Sequence, residues 1–127
     1  MRDEIKNRER ARQLISFKGL CWGSITPTDI DMFIEYHNKA YIIGEAKLFN
    51  ADIPNGQMLA LVRQCDDLQK VKPTYLIIAR HNTPIDQDVD FANCIVEKFR
   101  HDGKWISMVD DKSKNWTVKQ LLSVFIG

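Results

Sequence analysis

Residues 28–47 read TDIDMFIEYHNKAYIIGEAK. Two apolar runs, residues 30–36 and 40–46, carry Ile, Met, Phe and Tyr and are joined by the polar segment His37-Asn38-Lys39. Runs of this length and composition, separated by turn-forming residues, predict a β-hairpin rather than a helix. Directly opposed residues of an antiparallel pair share a face and side chains alternate along each strand, so loop length decides which residues meet. A three-residue loop opposes Tyr36 to Ala40 and Asp31 to Glu45, gathering Asp31, Glu45 and Lys47 on one face with Asp29 just beyond. A two-residue loop of Asn38 and Lys39 opposes Asp31 to Ala46 instead and disperses the cluster. The three-residue register is the expectation.

Two carboxylates and an ammonium group at the end of a largely buried hairpin require a physical reason. A buried charge is costly unless it is paired or bound to a metal. Adjacent carboxylates tend to hold a proton at neutral pH unless a divalent cation neutralises them. Oxygen-only ligands suit Mg²⁺, which keeps several waters and takes one or two protein carboxylates, with phosphate oxygens completing its shell. Such a set supports attack of metal-activated water on a phosphodiester, with the lysine orienting the water or stabilising charge that develops in the transition state.

The same residues resemble the PD-(D/E)XK nuclease superfamily. Its signature is an acid at the start of one strand and, on the next, an acid, a variable residue and a lysine preceded by apolar residues. Here Asp31 leads into Met32-Phe33-Ile34, and Ile42-Ile43-Gly44 leads into Glu45-Ala46-Lys47. The resemblance implies that Asp31 and Glu45 are metal ligands, with the Ala46 carbonyl as a further one, that Lys47 is the catalytic lysine, and that the cofactor is Mg²⁺ or Mn²⁺. The family's proline before its first acid is absent: Ile30 precedes Asp31, and Pro27 lies two residues before Asp29. Asp31 is preferred to Asp29 because it leads directly into the apolar run and gives the better cross-strand register. Glu-x-Lys alone is common at solvated strand edges and in surface ion pairs, so the flanking pattern carries the resemblance.

A chain of 127 residues matches one domain, residues 1–127, with a single core. The hydrophobic set makes up 44% and charged residues 28%, as in an ordinary globular protein. No apolar run approaches the ~20 residues that span a bilayer. The charged start MRDEIKNRER has no apolar segment behind it, so the expectation is a soluble, cytoplasmic protein without a secretory signal. A net charge of +1 means that affinity for a polyanion must come from local patches. Cys21, Cys65 and Cys94 are scattered, as are His37, His81 and His101, and no CxxC pair is present. Reduced, mostly buried thiols are the expectation.

Taken in order, residues 1–17 predict a helix with Ile5, Ala11, Leu14, Ile15 and Phe17 on its apolar stripe. Arg2, Lys6, Arg8, Arg10 and Arg12 make it basic, either as a solvated face or as phosphate contacts, for which Arg8 and Arg12 are the candidates. The resemblance implies that such a helix can lend an acid to the site, here Glu4 or Glu9. Residues 19–25 predict a short first strand, with Trp22 packing at the core or its rim. After the hairpin, a loop over residues 49–56 precedes a helix to about Lys70, whose Met58, Leu61 or Val62, Cys65, Leu68 and Val71 recur at helical spacing. The resemblance implies a polar residue laid over the site from this helix, and Gln57, in its first turn, is the candidate; Arg63 is a candidate phosphate contact.

Lys72-Pro73 ends the helix, and residues 74–79 (TYLIIA) predict a buried strand reached by a crossover and therefore parallel within the sheet. Arg80, a candidate nucleic-acid contact, and His81, an auxiliary acid, a phosphate contact or a loop histidine without a role, follow at its end. Residues 84–91 are an acidic helix or loop, residues 93–99 a strand, His101-Asp102-Gly103-Lys104 a turn, and residues 105–109 its hairpin partner. Residues 116–125 predict an apolar last helix that closes the core or forms part of a homodimer interface.

The fold class read from this order is α/β, a small mixed β-sheet flanked by helices, which by resemblance over about residues 1–82 is restriction-endonuclease-like. The function implied is a divalent-metal-dependent nuclease that hydrolyses phosphodiester bonds, most readily in DNA, similar in architecture to phage enzymes and junction-resolving nucleases. The alternative is a catalytically inactive module on the same fold that binds nucleic acid or a protein partner, which predicts no metal affinity. A small regulatory protein binding a protein partner is a third reading, and it predicts no salt-dependent binding to nucleic acid.

Overall fold

A computed structural model of the chain describes residues 14–109 and 115–126. Its centre is a five-stranded sheet in the order β1-β2-β3-β4-β5, with β1 Met32–Tyr36, β2 Ala40–Leu48, β3 Thr74–His81, β4 Ile95–His101 and β5 Lys104–Ser107. Helix α1 spans Asn55–Gln69 and helix α2 spans Val118–Ile126. The β2–β3 pair is parallel and the other three are antiparallel. The chain is thus a mixed α/β domain. The parallel pair follows from the α1 crossover, which returns the chain to the edge of β2 in the direction it left.

The hairpin adopts the three-residue register. Tyr36 pairs with Ala40 and Met32 with Gly44, so continuing the ladder by one residue brings Asp31 level with Glu45. Its turn places His37 and Asn38 at φ 46° and 59°, and the Lys39 amide donates to the Tyr36 carbonyl. Left-handed φ values give the turn the twist that antiparallel strands need. The second hairpin does the same with Asp102 and Gly103 at φ 54° and 75°, as the Asp-Gly pair predicts.

Each face of the sheet buries its own cluster. Ile43, Leu76 and Ile78 meet Leu61 and Cys65 of α1, with Met58, Val62, Leu68 and Trp105 packed around them. Ile42, Ile77, Ala79, Val96 and Phe99 on the other face meet Val118 and Leu121 of α2. Phe125 of α2 stacks on Tyr75 with ring centroids 4.0 Å apart. The helix begins with a reciprocal cap: the Gln120 amide donates to Thr117 Oγ1 and the Thr117 amide donates to Gln120 Oε1.

Three expectations need correction. Residues 19–25 form no strand of the sheet: a 3₁₀ turn at Lys18–Leu20 is followed by a tight loop in which Trp22 bridges only to Ile25. The segment closes on itself through this local bridge and pairs with no strand of the sheet, and Trp22 is 62% exposed instead of packed. Residues 14–17 are not helical and Leu14 and Ile15 are exposed; the rest of the predicted first helix, with Arg8, Arg12, Glu4 and Glu9, lies outside the described residues. Val71 is exposed because α1 ends at Gln69, before the apolar stripe reaches it. Cys65 and Cys94 are buried while Cys21 is exposed, and all three are free thiols.

Candidate active site

Glu45 lies in the middle of the sheet on the face that α1 covers, and it is 1% exposed. Strand alternation explains its position: Ile43 and Glu45 are two residues apart on β2, so a residue type suited to solvent is carried into the core by its apolar neighbour. Its Oε1 accepts a hydrogen bond from Gln57 Nε2 at 2.9 Å and stands 3.6 Å from Lys47 Nζ. Its Oε2 is buried and has no partner. Burial first, and the neighbouring Asp31 second, push the Glu45 carboxyl from 4.5 up to about 7, against the opposing pull of Lys47 and Gln57.

Asp31 sits at the exposed mouth of the cluster, where its Oδ2 accepts the Ala46 backbone N–H at 2.9 Å. That bond ties the residue before β1 to the end of β2, beyond the last ladder pair. Because N–H and C=O of one strand residue point to the same side, the Ala46 carbonyl also lies on the β1 edge of β2. Lys47 is two residues on from Glu45 and its side chain is 30% exposed, so the ammonium stands between the buried carboxylate and solvent. Gln57 comes from the first turn of α1, which lies mainly over β3 and β4 and also meets Ile43 of β2 through Leu61 and Cys65.

The fold therefore gathers Asp31, Glu45, Ala46, Lys47 and Gln57. It uses Arg80 differently from the expectation of a free phosphate contact. Arg80 pairs in register with Lys47, but its guanidinium is taken up by Glu97 at 2.9 Å and by the carbonyls of Leu48 and Ala51. It thereby pins the loop that connects β2 to α1. Glu97 is available because a bulge between β3 and β4 interrupts the register at Ile78/Ala79 and inserts an extra residue on β4. Arg63 is exposed on α1. His81 pairs with Leu48 and so alternates to the face away from Lys47, where its Nδ1 accepts the Thr83 amide at 3.1 Å. Asp29 is exposed and lies outside the hairpin ladder.

Two features of the hairpin around the site, one on each face, are absent from the reading of the sequence. Gly44 is pressed between strand and cover: a Cβ there would lie 2.8 Å from Met32 Cε and 3.0 Å from Phe91 Cζ. Phe33 and Tyr41, on the same face as Glu45, stack with centroids 5.6 Å apart, and Lys72 Nζ lies 5.1 Å from the Tyr41 ring. Once the register is known, alternation is the signal for the second: Phe33 opposes Ile43, two residues from Glu45.

The donor set fits a hard divalent cation. It consists of oxygens only, one of them a buried carboxylate oxygen without a partner. Among the described residues no group of three or more His, Cys, Asp and Glu side chains is placed to hold a metal ion by itself. Two carboxylates and a main-chain carbonyl leave positions for water and phosphate, as Mg²⁺ prefers. Among the described residues no helix is long and apolar enough to cross a membrane. Comparison with family models, curated proteins and solved structures finds no match to this chain.

Proposed function

We propose that this protein is a divalent-metal-dependent nuclease of restriction-endonuclease-like fold that hydrolyses phosphodiester bonds, with DNA as the first substrate to test. The observation that carries the proposal is the buried, unpartnered Glu45 Oε2 beside Asp31 and Lys47. An ionised carboxylate in that position is costly without a cation, and a purely structural role would be served as well by an apolar residue. The sequence of hairpin, crossover helix and parallel strand that presents these groups supports the fold assignment.

In this reading Asp31, Glu45 and the Ala46 carbonyl hold Mg²⁺ or Mn²⁺. A cation bound there supplies Lewis-acid polarisation of the phosphate and a water acidic enough to act as nucleophile at neutral pH. Asp31 is held for this task by the Ala46 amide, and Glu45 by the amide of Gln57. Lys47, partly exposed next to Glu45, donates to the attacking water or to the phosphate oxygens as negative charge accumulates on them. The apolar floor of Ile43 and Ile78 excludes water from behind Glu45 and strengthens each of these interactions.

The test is cleavage of supercoiled, linear, branched and single-stranded DNA with Mg²⁺, Mn²⁺ or EDTA, comparing the native protein with folded Lys47→Ala and Glu45→Ala variants. Cleavage that requires metal and falls by a factor on the order of 10² or more in both variants is expected. Absence of cleavage on every substrate, together with no metal binding by calorimetry, overturns the proposal.

A further inference from the structure

Helix α1 packs mainly against β3 and β4, so on this face of the β1–β2 hairpin the β1 side is left open, while Ile43 and Glu45 of β2 are buried. The rows of this face are Asp31 with Glu45, then Phe33 with Ile43, then Glu35 with Tyr41. In the middle of this strip Phe33 is 49% exposed and stacks on Tyr41, while Lys72 Nζ, hydrogen-bonded to Asn38 Oδ1, covers the Tyr41 ring. The Glu35 carboxylate is turned toward the turn and accepts the Asn38 amide at 2.6 Å. The aromatic pair is therefore bordered by the Lys72 ammonium at one end and by Lys47 and the carboxylate pair at the other.

An exposed aromatic ring braced by a second ring and bordered by cations is what an unpaired nucleobase requires: a flat apolar surface for its ring and positive charge for its phosphate. A base in a duplex is already stacked on its neighbours and cannot lie on a side chain without leaving the helix. Adjacent rows on one face are about 7 Å apart, so the Phe33 row lies within one nucleotide's reach of the carboxylates. We infer that the Phe33–Tyr41 pair is a stacking platform for an unpaired base next to the reacting phosphate, and that the substrate is single-stranded DNA or a single-stranded arm. This rests on the nuclease reading for the word substrate; the platform itself is a binding site with its own readout.

Binding is measured in EDTA, so that nothing is cut, by fluorescence anisotropy of a labelled oligodeoxythymidine and of a blunt duplex of equal length at one fixed salt concentration. The native protein is expected to prefer the single strand. Phe33→Ala is expected to weaken single-strand binding on the order of tenfold, with duplex binding unchanged, and Phe33→Trp to restore it. Lys47→Ala, in contrast, is expected to abolish cleavage while Phe33-dependent discrimination between single strand and duplex persists. Equal affinity for both DNA forms, or Phe33→Ala binding single strands as the native protein does, overturns the platform. Phe33-dependent binding of single strands by a protein that cuts nothing supports the platform and refutes the nuclease reading, so the two ideas fail separately.

Discussion

Glu45→Gln removes one charge from the centre of the site while keeping the side chain's length and its ability to bond Gln57. In the metal-free protein the Glu45 carboxyl is raised from 4.5 to about 7, chiefly by burial and then by Asp31. Each pKa unit is about 1.4 kcal/mol, so ionised Glu45 disfavours the folded state by roughly 3 kcal/mol relative to its protonated form. The sign follows from proton binding. The unfolded chain releases this proton near its ordinary value of 4.5, whereas the folded chain holds it until about 7. Between those values the folded state binds more protons, so stability falls as pH rises through the window and levels off above it.

Urea unfolding of the native protein and Glu45→Gln in EDTA, across this range, isolates the effect because other titrations cancel in the difference. The variant's advantage is expected to grow from near zero below pH 4.5 to about 3 kcal/mol above the raised value. Adding Mg²⁺ at the alkaline end is expected to stabilise the native protein far more than the variant, since a ligand of the folded state stabilises by mass action. A difference that does not change with pH refutes the account of Glu45 as a buried, poorly compensated carboxylate.

Gly44→Val is expected to destabilise by about 2 kcal/mol, since a Cβ meets Met32 Cε and the Phe91 ring at 2.8 and 3.0 Å; an unchanged urea midpoint would show that Phe91 moves aside freely. Asp66→Asn breaks the two-pronged pair in which Arg100 Nε and Nη2 donate to the carboxylate at 2.8 and 2.9 Å, tying α1 to β4. A loss of about 1 kcal/mol is expected for this partly exposed pair. Because Arg100 lowers the Asp66 pKa, that contribution is present above the ordinary carboxylate value of 3.8 and disappears as pH falls below it, the reverse of Glu45, and a loss that persists in acid would contradict it. His37→Gly relieves a left-handed residue at φ 46° and is expected to stabilise by about 0.5 kcal/mol in thermal unfolding without changing cleavage; destabilisation would mean that the ring of His37, 5.1 Å from that of Tyr36, matters more than the backbone.

Much of this architecture is legible in residues 28–109 because short-range signals there agree with one another. Apolar runs of strand length, Asp102-Gly103, and the helical spacing of Met58, Leu61, Cys65 and Leu68 each point to the element that forms. The reading fails at residues 19–25, where an apolar composition suited to a strand finds no partner strand, since pairing is a property of the whole sheet. It is incomplete at Arg80, where a basic residue at a strand end reads as a ligand contact. Only the bulge that brings Glu97 beneath it, and the path of residues 48–51 past it, turn it into a clamp for the loop.

By itself the sequence of this protein pointed to the hairpin and, through the period of two along each strand, to the two registers between which the loop length chooses; the structure adopts the three-residue one. The tertiary structure decided how Asp31, Glu45 and Lys47 behave. Burial of Glu45 to 1% exposure, the reach of Gln57 from α1, and the offset of that helix that leaves Phe33 open depend on how helix and sheet pack. Desolvation, which sets the charge state of Glu45, arises from atoms distant in sequence and is written in no local pattern.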